Sequence, residues 1–288
     1  MSRLKNILAA TKLRFNESGV ESPDLSAELL VAEALGLERS AMIRQLILSP
    51  NLAFPRKAFE KLQGMVIRRL RREPVALILG RKEFYGRSFK VSRDTLIPRP
   101  ETELIVDFAK TFDCIEKNCL FADLGAGSGC LAVTLALEHP SWRGLALDFS
   151  RPALEMARHN AEDLGAAGSL EFIQADFKAL PFAAQSLDLI VSNPPYVSEA
   201  EYLGLEPELR LYEPKSALVP GPEGTEDLRA ICLQAAICLR SGGILLMELG
   251  AAQGQAMASF AQASPDWMEP AVLQDLAGLD RVLFCRKK

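Results

Sequence analysis

The chain has 288 residues, 49% hydrophobic and 24% charged, with a net charge of -4 and an isoelectric point near 5.5. That length suffices for one α/β domain and a smaller partner, each with its own core. The acidic balance argues against binding nucleic acid by bulk electrostatics. Six cysteines without a C-x-x-C pair, beside only two histidines, His139 and His159, argue against a zinc site, so no metal is expected.

No apolar run approaches the roughly 20 residues of a membrane span. The start "MSRLKNILAATKLRF" has helical spacing with interleaved charge in place of a signal core. A cytoplasmic location is expected, with Cys114, Cys119, Cys130, Cys232, Cys238 and Cys285 as reduced core residues.

In chain order, "LKNILAATKLRF", "DLSAELLVAEALGL", "RSAMIRQLIL" and "KAFEKLQGMVIRRLRR" have helical period and predict a small helical bundle over residues 1–75. Ser22 before Pro23 reads as an N-cap with proline in the first turn, and Gly36 as a stop. Arg68, Arg69, Arg71 and Arg72 form a basic run, read first as a solvated face. "KEFYGRSFKVS" predicts a β-hairpin around Tyr85-Gly86-Arg87, within a linker at residues 76–98.

From residue 99 to 288 the pattern becomes strand, turn, helix. "NCLFADLGAGSGCLAVTLALEH" and "GLALDFSRPALEMARHNAEDLG" each have this layout. "SLEFIQADF", "SLDLIVSNPPY", the helix "TEDLRAICLQAAICLR", the strand "GGILLMELG" and two strands in "AVLQDL" and "DRVLFCRK" follow. Alternating βα units predict a doubly wound, largely parallel sheet, with ligands beyond the carboxyl ends of its strands. The proline-rich stretch at residues 198–224 is long enough to be a functional loop over whatever "NPPY" holds.

In "DLGAGSG", Gly125, Gly127 and Gly129 occupy a strand-to-helix turn, where missing side chains admit a ligand to backbone N–H groups. Asp148 ends the next strand, about where such folds place a carboxylate on ribose hydroxyls. Together they predict a nucleoside cofactor. In "NPPY", Asn193 closes a buried strand, and Pro194 and Pro195 fix the backbone while removing N–H donors. The side-chain oxygen of Asn193 and the carbonyl of Pro194 can each accept one N–H of a planar NH2 group, beside an aromatic wall from Tyr196.

The G-x-G-x-G turn led by Asp123 resembles motif I of the S-adenosylmethionine-dependent methyltransferases, and in that resemblance Asp176 and Phe177 flank the adenine. "NPPY" resembles motif IV of amino-methyltransferases, whose substrates include adenine and guanine amines as well as glutamine amides. "FYGRSFKVSRDTLIPRPETELIV", residues 84–106, resembles the signature of the peptide chain release factor glutamine methyltransferases, the PrmC/HemK family. "YEPKSAL", "LMELG" with its later "QG", and "DRV" extend the resemblance along the chain.

The resemblance implies a seven-stranded Rossmann-like methyltransferase sheet at residues 99–288 and a substrate-docking helical domain at residues 1–75. It also implies transfer of a methyl group from S-adenosylmethionine to the side-chain amide of the glutamine in the Gly-Gly-Gln motif of class I peptide chain release factors, in support of translation termination. S-adenosylhomocysteine is the product. Gly125, Ala126, Gly127, Ser128 and Gly129 would hold the methionine part, Asp148 the ribose and Phe177 the adenine edge. Asn193, Pro194, Pro195 and Tyr196 would hold the glutamine at the catalytic position, Asn193 also bordering the cofactor. Arg99, Pro100, Glu101 and Thr102 would form a cover between hairpin and sheet. A monomer without membrane or direct nucleic-acid contact is expected. The competing readings are a nucleic-acid amino-methyltransferase acting on an exocyclic amine, since the clamp also fits a flipped adenine, and a cofactor-binding module without catalysis.

Overall fold

Helical spacing in the first 80 residues becomes helices at Leu4–Glu17, Pro23–Leu35, Arg39–Leu48, Arg56–Leu70 and Val75–Leu79 in a computed structural model that describes residues 3–49, 51–111 and 118–288. Their apolar faces enclose a core that includes Leu4, Phe15, Leu30, Met42 and Leu62. Gly36 ends the second helix in the left-handed region, at φ 68°. Ser22 does precede Pro23 at that helix's start, but it has φ 46° and its side chain makes no capping bond. Its hydroxyl is therefore not the expected cap.

The chain divides into two compact units, Met1–Arg81 with Pro207–Tyr212, and Lys82–Glu206 with Glu213–Lys288. The first unit thus includes a short helix from the far side of the sequence, Pro207–Tyr212. Within this unit the basic run is not simply a solvated face. Arg69 is buried, pairs with Glu208 at 3.0 Å and donates to the carbonyls of Glu21 and Glu73. Arg68 makes two 2.8 Å bonds to Glu73.

The expected hairpin follows, β1 (Arg81–Phe84) and β2 (Arg87–Lys90). A seven-stranded sheet follows: β3 (Leu120–Leu124), β4 (Arg143–Asp148), β5 (Leu170–Gln174), β6 (Leu187–Ser192), β7 (Leu239–Glu248), β8 (Trp267–Gln274) and β9 (Asp280–Lys287), ordered β5-β4-β3-β6-β7-β9-β8. The pairs among β3 to β7 are parallel, and β9 runs antiparallel to both β7 and β8.

Alternation within the central strands explains why they read as continuous apolar runs. Phe121, Leu189, Val191 and Leu246 face one core, while Ala122, Ile190, Leu245 and Met247 face the other. The helices Cys130–Glu138 and Arg151–Leu164 belong to the first side and Glu226–Cys238 to the second. Strand order reverses between β3 and β6, and at such a switch point the loops diverge and leave a crevice. Helices at Glu103–Ala109 and Gly254–Gln262 are additions to the expected elements. Cys119, Cys232, Cys238 and Cys285 are buried free thiols as expected, Cys130 is half-buried, and Cys114 lies outside the described residues.

Candidate active site

A cleft of about 560 Å³ opens beyond the carboxyl ends of β3, β4 and β6. It is lined by Gly125, Ala126, Gly127 and Ser128, by Asp148, Asp176 and Phe177, by Asn193 and Pro195, and by Arg99 and Thr102. The glycine turn, the end of β4, Asp176-Phe177, part of "NPPY" and part of "IPRPETE" thus meet here, whereas Gly129, Pro194, Tyr196, Pro100 and Glu101 are not among the lining residues. From the loop at residues 198–224, Pro214, Ser216, Ala217, Val219 and Pro220 contribute.

The glycine turn has φ 77°, 55° and 80° at Gly125, Gly127 and Gly129. At Gly129 a Cβ would lie 2.9 Å from Cβ of Ala157, so this glycine lets the helix Cys130–Glu138 approach Arg151–Leu164. A Cβ at Gly125 or Gly127 would meet almost nothing, which leaves a cradle open to the cleft. Asp148 fastens the turn: its Oδ2 accepts from the Gly127 N–H at 2.9 Å and its Oδ1 from Ser150 N–H at 2.8 Å. Burial pushes the Asp148 carboxyl up from its ordinary range.

Asp123, at the end of β3, is buried, and its Oδ2 accepts from Ala132 N–H at 3.0 Å. Its Oδ1 has no hydrogen-bond partner among the described residues. Burial, reinforced by Asp148, raises this carboxyl to about 7. An unpartnered buried carboxylate oxygen beside an open glycine cradle, in a cleft that also holds Asp148, Asp176 and Asp227, fits a cationic ligand carrying ribose hydroxyls.

Asn193 follows the last residue of β6, and its Nδ2 donates to Thr102 Oγ1 at 2.9 Å. Thr102 donates to Glu248 Oε2 at 2.6 Å, and Tyr196 donates to Glu248 Oε1 at 3.1 Å. Asn193 Oδ1 is buried without a partner among the described residues. Pro194 is buried, Pro195 lines the cleft, and Gln253 Nε2 holds the Tyr196 carbonyl at 2.9 Å. Arg99 pairs with Glu213 at 2.5 Å, while Glu101 is exposed.

Matches to known proteins follow this arrangement. Residues 6–80 match the PrmC N-terminal domain family and residues 115–279 a methyltransferase domain family. The chain is 45% identical to the release factor glutamine methyltransferase of Nitratidesulfovibrio vulgaris, over 99% of this chain and 95% of the relative. It is 40% identical to that of Cereibacter sphaeroides, over 99% and 98%, and 40% identical to that of Chlorobaculum tepidum, over 97% and 95%. The chain belongs to the release factor glutamine methyltransferase family.

In this family member, Glu248 and Asp227 join the residues expected at the site, and Thr102 takes a bond there that its spacing does not announce. Glu248 closes the apolar run of β7 within "LMELG", and a lone carboxylate at such a place is a signal of a buried site group. Thr102, expected in the cover between hairpin and sheet, also accepts a bond from Asn193. Asp227, in the cleft and 2.9 Å from Lys178, lies in the first turn of Glu226–Cys238, where acidic residues are ordinary helix partners and draw no notice.

Proposed function

We propose that the chain transfers a methyl group from S-adenosylmethionine to the side-chain amide nitrogen of the glutamine in the Gly-Gly-Gln motif of class I peptide chain release factors, leaving S-adenosylhomocysteine. The observation that carries this reading is the Asn193 oxygen, a buried acceptor without a partner among the described residues, on a residue that lines the same cleft as the glycine cradle. Relatives of up to 45% identity bearing that name support the choice of substrate.

When bound, S-adenosylmethionine supplies an electrophilic methyl group on a sulfonium. In this reading the turn from Gly125 to Gly129 and Asp123 Oδ1 receive the methionine part, and Phe177 borders the adenine. Asp148 receives the ribose: each of its oxygens already accepts one backbone N–H and retains a second lone pair for a hydroxyl. The Asn193 side-chain oxygen and the Pro194 carbonyl each accept one N–H of the glutamine amide, with Tyr196 as a flanking wall. Fixing both N–H bonds aligns the nitrogen with the methyl and opposes the delocalisation that makes an amide a poor nucleophile. The methylated nitrogen is strongly acidic and loses its proton to water, so no general base is required.

A glutamine between glycines offers little apolar area, so discrimination is assigned to a docking surface on the helical unit. Incubation with radiolabelled cofactor and either purified release factor or RNA tests the reading. Label in the release factor is expected. Label in RNA would instead establish an amino-methyltransferase of nucleic acid, and cofactor binding without transfer a non-catalytic module.

A further inference from the structure

We infer that Thr102 and Glu248 are positioning residues that hold the Asn193 amide in the single orientation presenting its oxygen to the cleft; the inference rests on the clamp proposed above. An amide can be turned to exchange its oxygen and nitrogen at almost no change in shape, so only its hydrogen-bond partners decide which end faces a substrate. Here the decision begins at Glu248. An ionised carboxylate only accepts, and this one takes the hydroxyl protons of Thr102 at 2.6 Å and Tyr196 at 3.1 Å. Thr102 has one hydroxyl proton, and it is spent on Glu248. Toward Asn193, 2.9 Å away, its oxygen can only accept, so the atom opposite must be the NH2 group. The Asn193 oxygen is the end left over, buried and without a partner among the described residues, on a residue that lines the cleft.

Turning the amide would set two acceptors against each other at Thr102 and present a donor to the donor group of an incoming amide. The relay joins three separate elements: the turn after β6, the 3-10 turn Pro100–Thr102 and the end of β7.

The same logic makes the orientation sensitive to one proton. A protonated Glu248 can donate to Thr102, whose own proton is then free to meet the Asn193 oxygen. The groups around Glu248 are the hydroxyls of Thr102 and Tyr196, the Arg281 guanidinium on β9, itself held by Asp275 at 3.1 Å, and Glu101. Burial dominates and raises Glu248 to about 7. Transfer at saturating cofactor and release factor therefore falls as the pH drops through about 7.

Thr102→Val, which keeps the shape and removes the hydroxyl, is expected to lower kcat on release factor at least thirtyfold and to lose the acid limb of the pH profile. Its affinity for S-adenosylhomocysteine should stay within twofold of wild type. Thr102→Ser should rescue most of the lost turnover. An unchanged kcat in Thr102→Val, an equal defect in Thr102→Ser, or a parallel loss of cofactor affinity would overturn the relay. A second readout requires no substrate. The Asn193 Nδ2 protons, assigned in amide NMR spectra by their absence in Asn193→Asp, should exchange with water at least tenfold more slowly in wild type than in Thr102→Val. Equal exchange rejects the relay whatever the chain methylates, whereas slow exchange in a wild type that leaves release factor unlabelled counts against the proposed substrate alone.

Discussion

Asp123 and Glu248 are each about 1% exposed, and burial holds both carboxyls at about 7. For an acid whose pKa is higher folded than unfolded, the folded chain binds more protons across the interval between the two values. Stability from such a group is present at low pH and is lost as pH rises from about 4 to 7. Asp123→Asn should therefore stabilise the ligand-free protein at pH 8 by on the order of 2 kcal/mol, a gain that vanishes near pH 4, while weakening cofactor binding. Thermal unfolding at the two pH values checks this; equal gains at both would mean that Asp123 is not buried as a charge. The glycine turn, Asp148 and "NPPY" were legible because each has a local spacing rule. Glu248 and Thr102 were not, since their role comes from a contact between residues 146 positions apart.

Among elements, the short helix Pro207–Tyr212 depends most on distant contacts. Six residues are too few to sustain a helix alone, and its Glu208 is buried against Arg69, with Arg72 at 3.5 Å. A Tyr212 hydroxyl bond to the Arg71 carbonyl at 2.6 Å adds a second tether. Arg69→Ala in the full chain should cost about 3 kcal/mol by leaving Glu208 buried with Arg72, 3.5 Å away, as its remaining ion-pair partner among the described residues. The pair Arg69→Met with Glu208→Leu should cost less than Arg69→Ala alone, because no charge is then stranded. Urea unfolding measures both; a double variant as unstable as the sum of its singles would contradict the coupling. Helices and strands of strong period were read from sequence within a few residues. The stretch at residues 198–224 appeared only as one weakly periodic loop, because its helices are too short for a period: Glu199–Tyr202 rests on a capping box of Ser198 and Glu201, and Pro207–Tyr212 on its distant partners.

At the scale of the whole molecule, the change of period near residue 75 is the sequence signal for a helical part and a sheet part, whereas the membership of Pro207–Tyr212 in the helical unit left no trace in the sequence. Deleting residues 1–74 would strip that helix of its partners, so the docking role is better tested by surface changes. Ile47 and Leu48 are 73% and 75% exposed on Arg39–Leu48. Ile47→Asp with Leu48→Asp should raise KM for release factor at least tenfold, about 1.4 kcal/mol, and leave S-adenosylhomocysteine affinity unchanged. Unchanged KM would remove this patch from the docking surface. The role of Asn193 in the proposed reaction is to orient a release-factor glutamine for methyl transfer. Its most direct test is to incubate wild type and Asn193→Ala with cofactor and release factor, map the methyl group by peptide mass spectrometry, and titrate both proteins with S-adenosylhomocysteine. One methyl group on the amide of the Gly-Gly-Gln glutamine is expected with wild type, none with Asn193→Ala, and affinities within a few fold. Methylation at another residue, or loss of transfer in Asn193→Ala matched by an equal loss of cofactor affinity, would contradict that role.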